Sequence, residues 1–394
     1  MDVAVALAKS SNLAIELTDS WTGTNTVSFQ PCSHALTPLP KEIQTMTNRR
    51  SSTAITSFPA LVAMVVFAVF SVGVAVFRPS PLWTLLLLPL PALLTYAVAR
   101  AAVGAPPTTA GMKGKAPRAR RGLPRYQLVA MPINHFGEKL RWILDLLGAP
   151  YDESTVGGIL SATLRGRSVP WLVDRVSCSR IGNSDEALWY LAAVHVPTME
   201  PEPGRRAAAL MQRTPETMAW EARLNALGHA IQGWAYFYLL DPQADAELSL
   251  RFWGGREPTV PVLQRVAVRI AHPVFTSAVR GLFELRDAAK HEARRALIAS
   301  ILDAADAALE RHDGKFLTGA SMSYVDIGFC ALLGPLLPST VLPLWANGRF
   351  TSFAALQDHP SMPSALREFE QELRARRCGQ HIERTYRAHR GRQL

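Results

Sequence analysis

Two stretches near the start of the chain carry no charge at all: residues 54–77, "AITSFPALVAMVVFAVFSVGVAVF", and residues 82–99, "LWTLLLLPLPALLTYAVA". At a rise of ~1.5 Å per residue each is long enough to cross a ~30 Å hydrocarbon layer, and the four-residue joint "RPSP" suits a hairpin whose ends return to one side. Pro89 and Pro91 would kink the second helix, which lipid-embedded helices tolerate. From Tyr126 the pattern changes. "YQLVAM" is a short apolar run fit for a buried strand, broken by Pro132 and Asn134. "GEKLRWILDLLG" then spaces Leu140, Ile143, Leu144 and Leu147 as one helical face with Gly148 as its stop. "APYDEST" and "GRSVPWLVD" read as extended pieces. "IGNSDEALWYLAA" reads as a turn and a helix capped by Asn183 or Ser184, with Leu188 and Leu191 facing inward.

From about Pro197 onward the periodicity is helical. "ETMAWEARLNALGHAIQGWAYFYLLDP" puts Trp220, Leu224, Leu227, Ile231, Trp234 and Phe237 at three- and four-residue steps, a core face rather than a ligand box. "HEARRALIASILDAADAALERHDGKFLTG" is a second amphipathic helix ended by Gly314, and Ser323-x-x-Asp326 is a capping box before a very apolar third. The fold class expected is an α/β thioredoxin-like N-terminal domain plus an all-α C-terminal domain, preceded by a transmembrane helical hairpin. Its divisions are a disordered or targeting segment 1–53, the spans within 54–103, a basic linker 104–124, the α/β domain 125–196 and the helical domain 197–394.

Charge refines the membrane reading. The 394-residue chain carries a net +10, concentrated in Lys113, Lys115, Arg118, Arg120, Arg121 and Arg125, and again in a tail with seven arginines against Glu383 alone. Neither block has the interleaved aromatics or reading motif of a nucleic-acid binder, so no nucleic-acid partner is expected. Beside an apolar hairpin, anionic lipid headgroups fit the first block; the second reads as a solvated helix end or as a functional patch. Arg49, Arg50, Arg100 and the linker flank the hairpin while only Arg78 sits in its turn, which puts both ends on the cytoplasmic side. Residues 1–50, rich in Ser and Thr, read as a disordered tail or a chloroplast-type transit segment. Cys32, Cys178, Cys330 and Cys378 form no CxxC or metal-ligand spacing, leaving no disulfide framework or zinc site to expect.

The order of motifs from Tyr126 to about Arg390 resembles the soluble glutathione S-transferases, bacterial-type members in particular. "NHFGEKLRWILDLLGAPY" follows that family's first strand–turn–helix, "VP" stands where its cis proline enters the third strand, and Asn183-Ser184 stands where an acidic-Ser pair opens the next helix. The resemblance implies glutathione as co-substrate, with Val169 and Pro170 on its cysteinyl part and Asn183 and Ser184 on its γ-glutamyl end, where a helix N-terminus favours a carboxylate. It also implies a homodimer as a candidate assembly, and an acceptor wall for which Trp220, Trp234 and Tyr238 are the guesses.

The family's activating positions fall on Asn134 and Gly137 for cysteine or serine, and on Ala130 for tyrosine. None holds the usual group. A free thiol has a pKa near 8.5 and needs help to ionise, so Asn134 is the expected thiolate contact, and His135, if protonated, a second. Two readings follow. One is a membrane-tethered transferase joining glutathione thiolate to an apolar electrophile; the other is a non-catalytic adaptor or membrane scaffold on the same fold.

Overall fold

The computed structural model describes residues 122–158, 169–350, 356 and 359–394, all within one compact unit, Val98–Leu394. The uncharged stretches 54–77 and 82–99, the segment before them and the linker up to residue 121 lie outside the described residues. Among the described residues no helix is long and apolar enough to cross a membrane.

Four short strands form one mixed sheet: β1 (Tyr126–Ala130), β2 (Tyr151–Thr155), β3 (Trp171–Asp174) and β4 (Ser179–Gly182), in the order β2-β1-β3-β4. β1 runs parallel to β2, from Tyr126 opposite Tyr151 to Ala130 opposite Thr155. It is antiparallel to β3, which pairs antiparallel with β4. The apolar β1, with Tyr126, Leu128 and Ala130 fully buried, is interior, while the polar "YDEST" of β2 is half-exposed at an edge. A parallel pair needs a crossover, and α1 (His135–Leu146) supplies it. Gly148 (φ +59°) turns the chain into β2, as its position after the helical run predicts. α2 (Ser184–Val194) closes this α/β half, which has the expected thioredoxin-like order of elements.

Every named element after α2 is helical. α3 (Pro201–Leu210) leads to α4 (Pro215–Leu239), then α5 (Ala246–Phe252), α6 (Val262–Leu282) and α7 (Ala288–Arg311). α8 (Tyr324–Leu333), α9 (Pro338–Val341), α10 (Ser364–Ala375) and α11 (Arg377–His389) complete the chain. α8 is buried along its whole length and packs on both α1 and α4. Its predicted capping box is present: Ser323 N–H donates to Asp326 Oδ2 at 2.9 Å, and Asp326 Oδ1 accepts from Leu317 N at 2.8 Å. Trp220 and Trp234 are 2% and 1% exposed and belong to this core. Both are corrected from acceptor-wall residues to packing residues, as the periodicity of α4 already favoured. Tyr238 packs edge-on against Trp234 and meets His291 Nε2 through its hydroxyl at 3.1 Å.

Two of the seven arginines in the basic tail, Arg376 and Arg390, are tied into the fold, while the other five are exposed. Arg376 is paired with Asp303 and Asp306 of α7, and Asp306 also accepts the Cys378 N–H at 2.7 Å, capping α11 from outside. Arg390 inserts into the α/β half, bonding Glu138 at 2.8 Å and Asp145 at 2.7 Å. At the other basic block, Arg125 is drawn to Asp174 at 2.9 Å, so it belongs to the folded domain rather than to the linker.

Candidate functional site

One end of the sheet collects three chain segments: the turn after β1, the approach to β3 and the start of α2. Asn134 caps α1, its Oδ1 accepting from Gly137 N at 2.6 Å while its Nδ2 lies 3.5 Å from Val169 O. Val169-Pro170 is cis, as the resemblance implied. β3 and β4 begin and end in register, Trp171 opposite Gly182, so Pro170 and Asn183 are carried side by side just beyond the pair. Asn134, Val169, Pro170, Asn183 and Ser184 therefore share one edge of the domain. The cap of α2 is Asn183, whose Oδ1 accepts from Asp185 N at 2.9 Å and Glu186 N at 2.8 Å. Ser184 is the first helical residue, 4% exposed, and is corrected from a possible N-cap. Lys139 of α1 is ion-paired with Asp185, fixing the two helix starts to each other.

His135 does not join this edge. Its ring lies against Phe136 (centroids 4.3 Å apart) and on the α4 side it bonds the backbone of Gly228. Its Nε2 is enclosed without a partner. Burial first, then the charge of nearby His229, push its pKa down to about 4. A lowered pKa disfavours the protonated form expected for it. The same burial has a thermodynamic consequence. The unfolded chain, with an ordinary value of 6.5, takes up the proton first as pH falls, so stability drops below that value and levels off near pH 4. Between pH 8 and pH 5 this group should remove about 2 kcal/mol, and His135→Gln should flatten that part of the profile when urea midpoints are compared at the two pH values.

The remaining activating positions are closed by geometry. A Cβ on Gly137 would stand 3.1 Å from Ala130 Cβ, so the crossing of α1 over β1 favours glycine there. Ala130 itself is fully buried. Two of the thiols are held unreactive: burial raises Cys330 well above its ordinary value, and burial with Asp306 alongside takes Cys378 to about 12.

Sequence reasoning missed what supports this edge. Glu138 and Arg141, both fully buried, lie one turn inside α1. Arg141 binds Glu153 (2.6 Å) and the Met131 carbonyl (2.8 Å), so it holds the strand–helix turn from beneath. Trp345 Nε1 donates to Pro132 O at 3.0 Å, and Ala346 N to Glu138 at 3.0 Å. The local signal was the i,i+3 spacing of Glu138 and Arg141 in the helix. The loop leaving β2 is held from α5 and α6: Gln264 Oε1 accepts from Gly157 N at 2.9 Å, and Trp253 O from Gly158 N at 2.9 Å.

No known family profile and no curated protein matches the chain. Solved structures do resemble it at low identity. A glutathione S-transferase from Methylobacillus flagellatus with glutathione bound is 16% identical, covering 65% of this chain and 98% of its own, at a TM-score of 0.33. A theta-class glutathione S-transferase from Xanthomonas axonopodis pv. citri, also with glutathione bound, is 18% identical over 67% of this chain and 98% of its own, at 0.33. One from Ceriporiopsis subvermispora in complex with glutathione is 16% identical over 62% and 97%, at 0.34.

Proposed function

We propose that this chain binds glutathione at the edge formed by Asn134, Val169-Pro170 and Asn183-Ser184, and that it is a glutathione transferase-like protein tethered to a membrane by residues 54–99, with the Lys/Arg linker on anionic lipid. The observation that carries the reading is the convergence of three separated segments on one edge: a helix N-terminus capped by an amide side chain, an extended backbone entered through a cis proline, and a second helix N-terminus bearing a serine. Such an edge offers backbone partners to a peptide and N–H groups to its carboxylates. In the reaction proposed, the glutathione sulfur gives up its proton to solvent and attacks the electrophilic carbon of an apolar substrate; a C–S bond forms as the leaving group departs with its electron pair. Asn134 Nδ2, which has a second N–H beside the one near Val169 O, is the donor assigned to the thiolate. A domain on the cytoplasmic side of the membrane would meet electrophiles that partition into lipid.

Calorimetry of the full chain with glutathione tests the binding step. Micromolar to millimolar affinity is expected, and Ser184→Ala should weaken it about tenfold, the value of one hydrogen bond to a charged group. A folded chain that takes up no glutathione would sink the proposal. The adaptor reading is favoured by a specific set of observations: among the described residues, glycine at 137, buried alanine at 130 and a His135 turned toward α4 leave Asn134 as the activating side chain at this edge. Conjugation of a generic aryl halide separates the two. Under the transferase reading Asn134→Asp, which keeps the helix cap but sets a carboxylate beside the thiolate, lowers turnover sharply; under the adaptor reading wild type has no turnover above the uncatalysed rate.

A further inference from the structure

α6 carries two apolar faces beside a polar stripe that includes Arg265, Arg269 and His272, and among the described residues only one of those faces is covered. Its inner face, Val268, Ala271, Phe275 and Val279, packs with Leu240, Trp253 and Leu285 in a small second core. Its outer face presents Val262, Val266, Ile270 and Val274 as an unbroken i,i+4 row, with Leu263 and Leu282 beside it. Ile270 and Val274 are each 76% exposed and Val262 is 62% exposed. Single exposed apolar side chains are ordinary, but a continuous row on one helix is a docking surface.

We infer that the outer face of α6 lies on a lipid surface, making this helix a second, interfacial contact of the folded domain with a membrane. Charge supports a lipid occupant. The helix contains no Asp or Glu; its titratable residues are Arg265, Arg269, His272 and Arg280. Arg269 is exposed beside Ile270, its Nε held by Gly255 O at 3.0 Å, in position to meet anionic headgroups while the apolar row enters the acyl boundary. Size argues against a second copy of the chain. A strip ~32 Å long and ~10 Å wide offers ~300 Å², well short of the ~800 Å² per partner of a standard interface. A bilayer sets no such threshold for a chain that also carries two uncharged stretches long enough to enter it.

The inference does not depend on glutathione, yet it bears on the site. The same helix holds the loop leaving β2, through Gln264 to Gly157 N, and Val268 packs so close that a Cβ on Gly157 would meet its Cγ2 at 2.7 Å. A lipid surface on the outer side of α6 would thus lie one helix away from Gly157, just beyond β2.

Depth quenching of the full chain tests this. Ile270→Cys, Val274→Cys and, as a control on the exposed loop before α8, Ser321→Cys would each carry an environment-sensitive dye, in a chain that also carries Cys32→Ser and Cys178→Ser; Cys330 and Cys378 are buried. The chains are mixed with vesicles of phosphatidylcholine and phosphatidylglycerol containing a doxyl-labelled lipid. Severalfold stronger quenching at 270 and 274 than at 321 is expected. Equal quenching at all three positions, or no association with the vesicles, overturns the inference. So does a dye at 270 shielded from both lipid and aqueous quenchers: energy transfer between labelled copies would then assign the face to a second chain, and its absence to another segment of the same chain.

Discussion

Gly379→Ala should be among the most damaging single substitutions in the protein, costing about 3 kcal/mol or more in urea or thermal unfolding. A Cβ at this position would stand 1.8 Å from Leu373 O and 2.6 Å from its carbonyl carbon. Both atoms are backbone, where α10 ends and α11 begins, so no rotamer change relieves the contact. In an exposed helix the same exchange gains about 0.5–1 kcal/mol, because glycine loses more chain entropy on folding. Overpacking a rigid contact costs about 1–3 kcal/mol and rises when only backbone can give, so the clash wins. Relief would require α11 to lift from α10, breaking the Cys378 N–H bond to Asp306 and withdrawing Arg390 from the α/β half. A variant as stable as wild type would mean that the two helices do not cross at this distance in solution.

What could be read from the sequence was what is encoded locally. The strand–turn–helix from Tyr126 to Gly148 announced itself by a change of period and a glycine stop; the Ser323/Asp326 box lies within one turn; Val169-Pro170 is a dipeptide signal. The edge that gathers Asn134, Pro170 and Ser184 was legible through a resemblance of motif order, since no periodicity brings those positions together. The supports were not legible. The partners Glu138 and Arg390 are 252 residues apart, and Glu138 and Ala346 208 apart, so each half of these pairs looked like an ordinary surface charge or loop. For the same reason the ties of Arg376 and Arg390 could not be read from the arginine-rich tail, nor the surroundings of His135, whose neighbours Gly228 and His229 come from α4. The exposed row of α6 was not legible, because nothing in the sequence shows which of its apolar residues the fold leaves uncovered. The proposed spans and linker rest on hydropathy and charge alone.

Arg390→Met should lower stability by about 3–5 kcal/mol, the penalty for leaving a buried charge without its partner. Arg390 and Glu138 are 1% and 0% exposed at their side chains and 2.8 Å apart. Burial works against the Arg390 charge, but Glu138 and Asp145 outweigh it and hold the guanidinium above its ordinary range. Without that guanidinium, Asp145 keeps the Tyr151 hydroxyl at 2.9 Å and a place on the exposed side. Glu138 has no such recourse. Arg141, its nearest remaining cation at 3.8 Å, is committed to Glu153 at 2.6 Å. The Ala346 N–H offers one hydrogen bond but no charge. Removing the orphan charge as well should therefore restore much of the loss: Glu138→Gln with Arg390→Met keeps an acceptor for Ala346 and buries no ion, and buried pairs replaced by neutral groups are often close to neutral in stability. A double variant more stable than the single Arg390→Met by about 2 kcal/mol identifies uncompensated charge as the cause; equal losses would assign the effect to lost packing of the arginine stem over Trp142. The comparison also reaches the site, because Glu138 lies one turn beyond Asn134 on α1. If this pair fixes the start of that helix, the double variant, folded but without the tie to the tail, should bind glutathione more weakly than wild type while unfolding nearly as late.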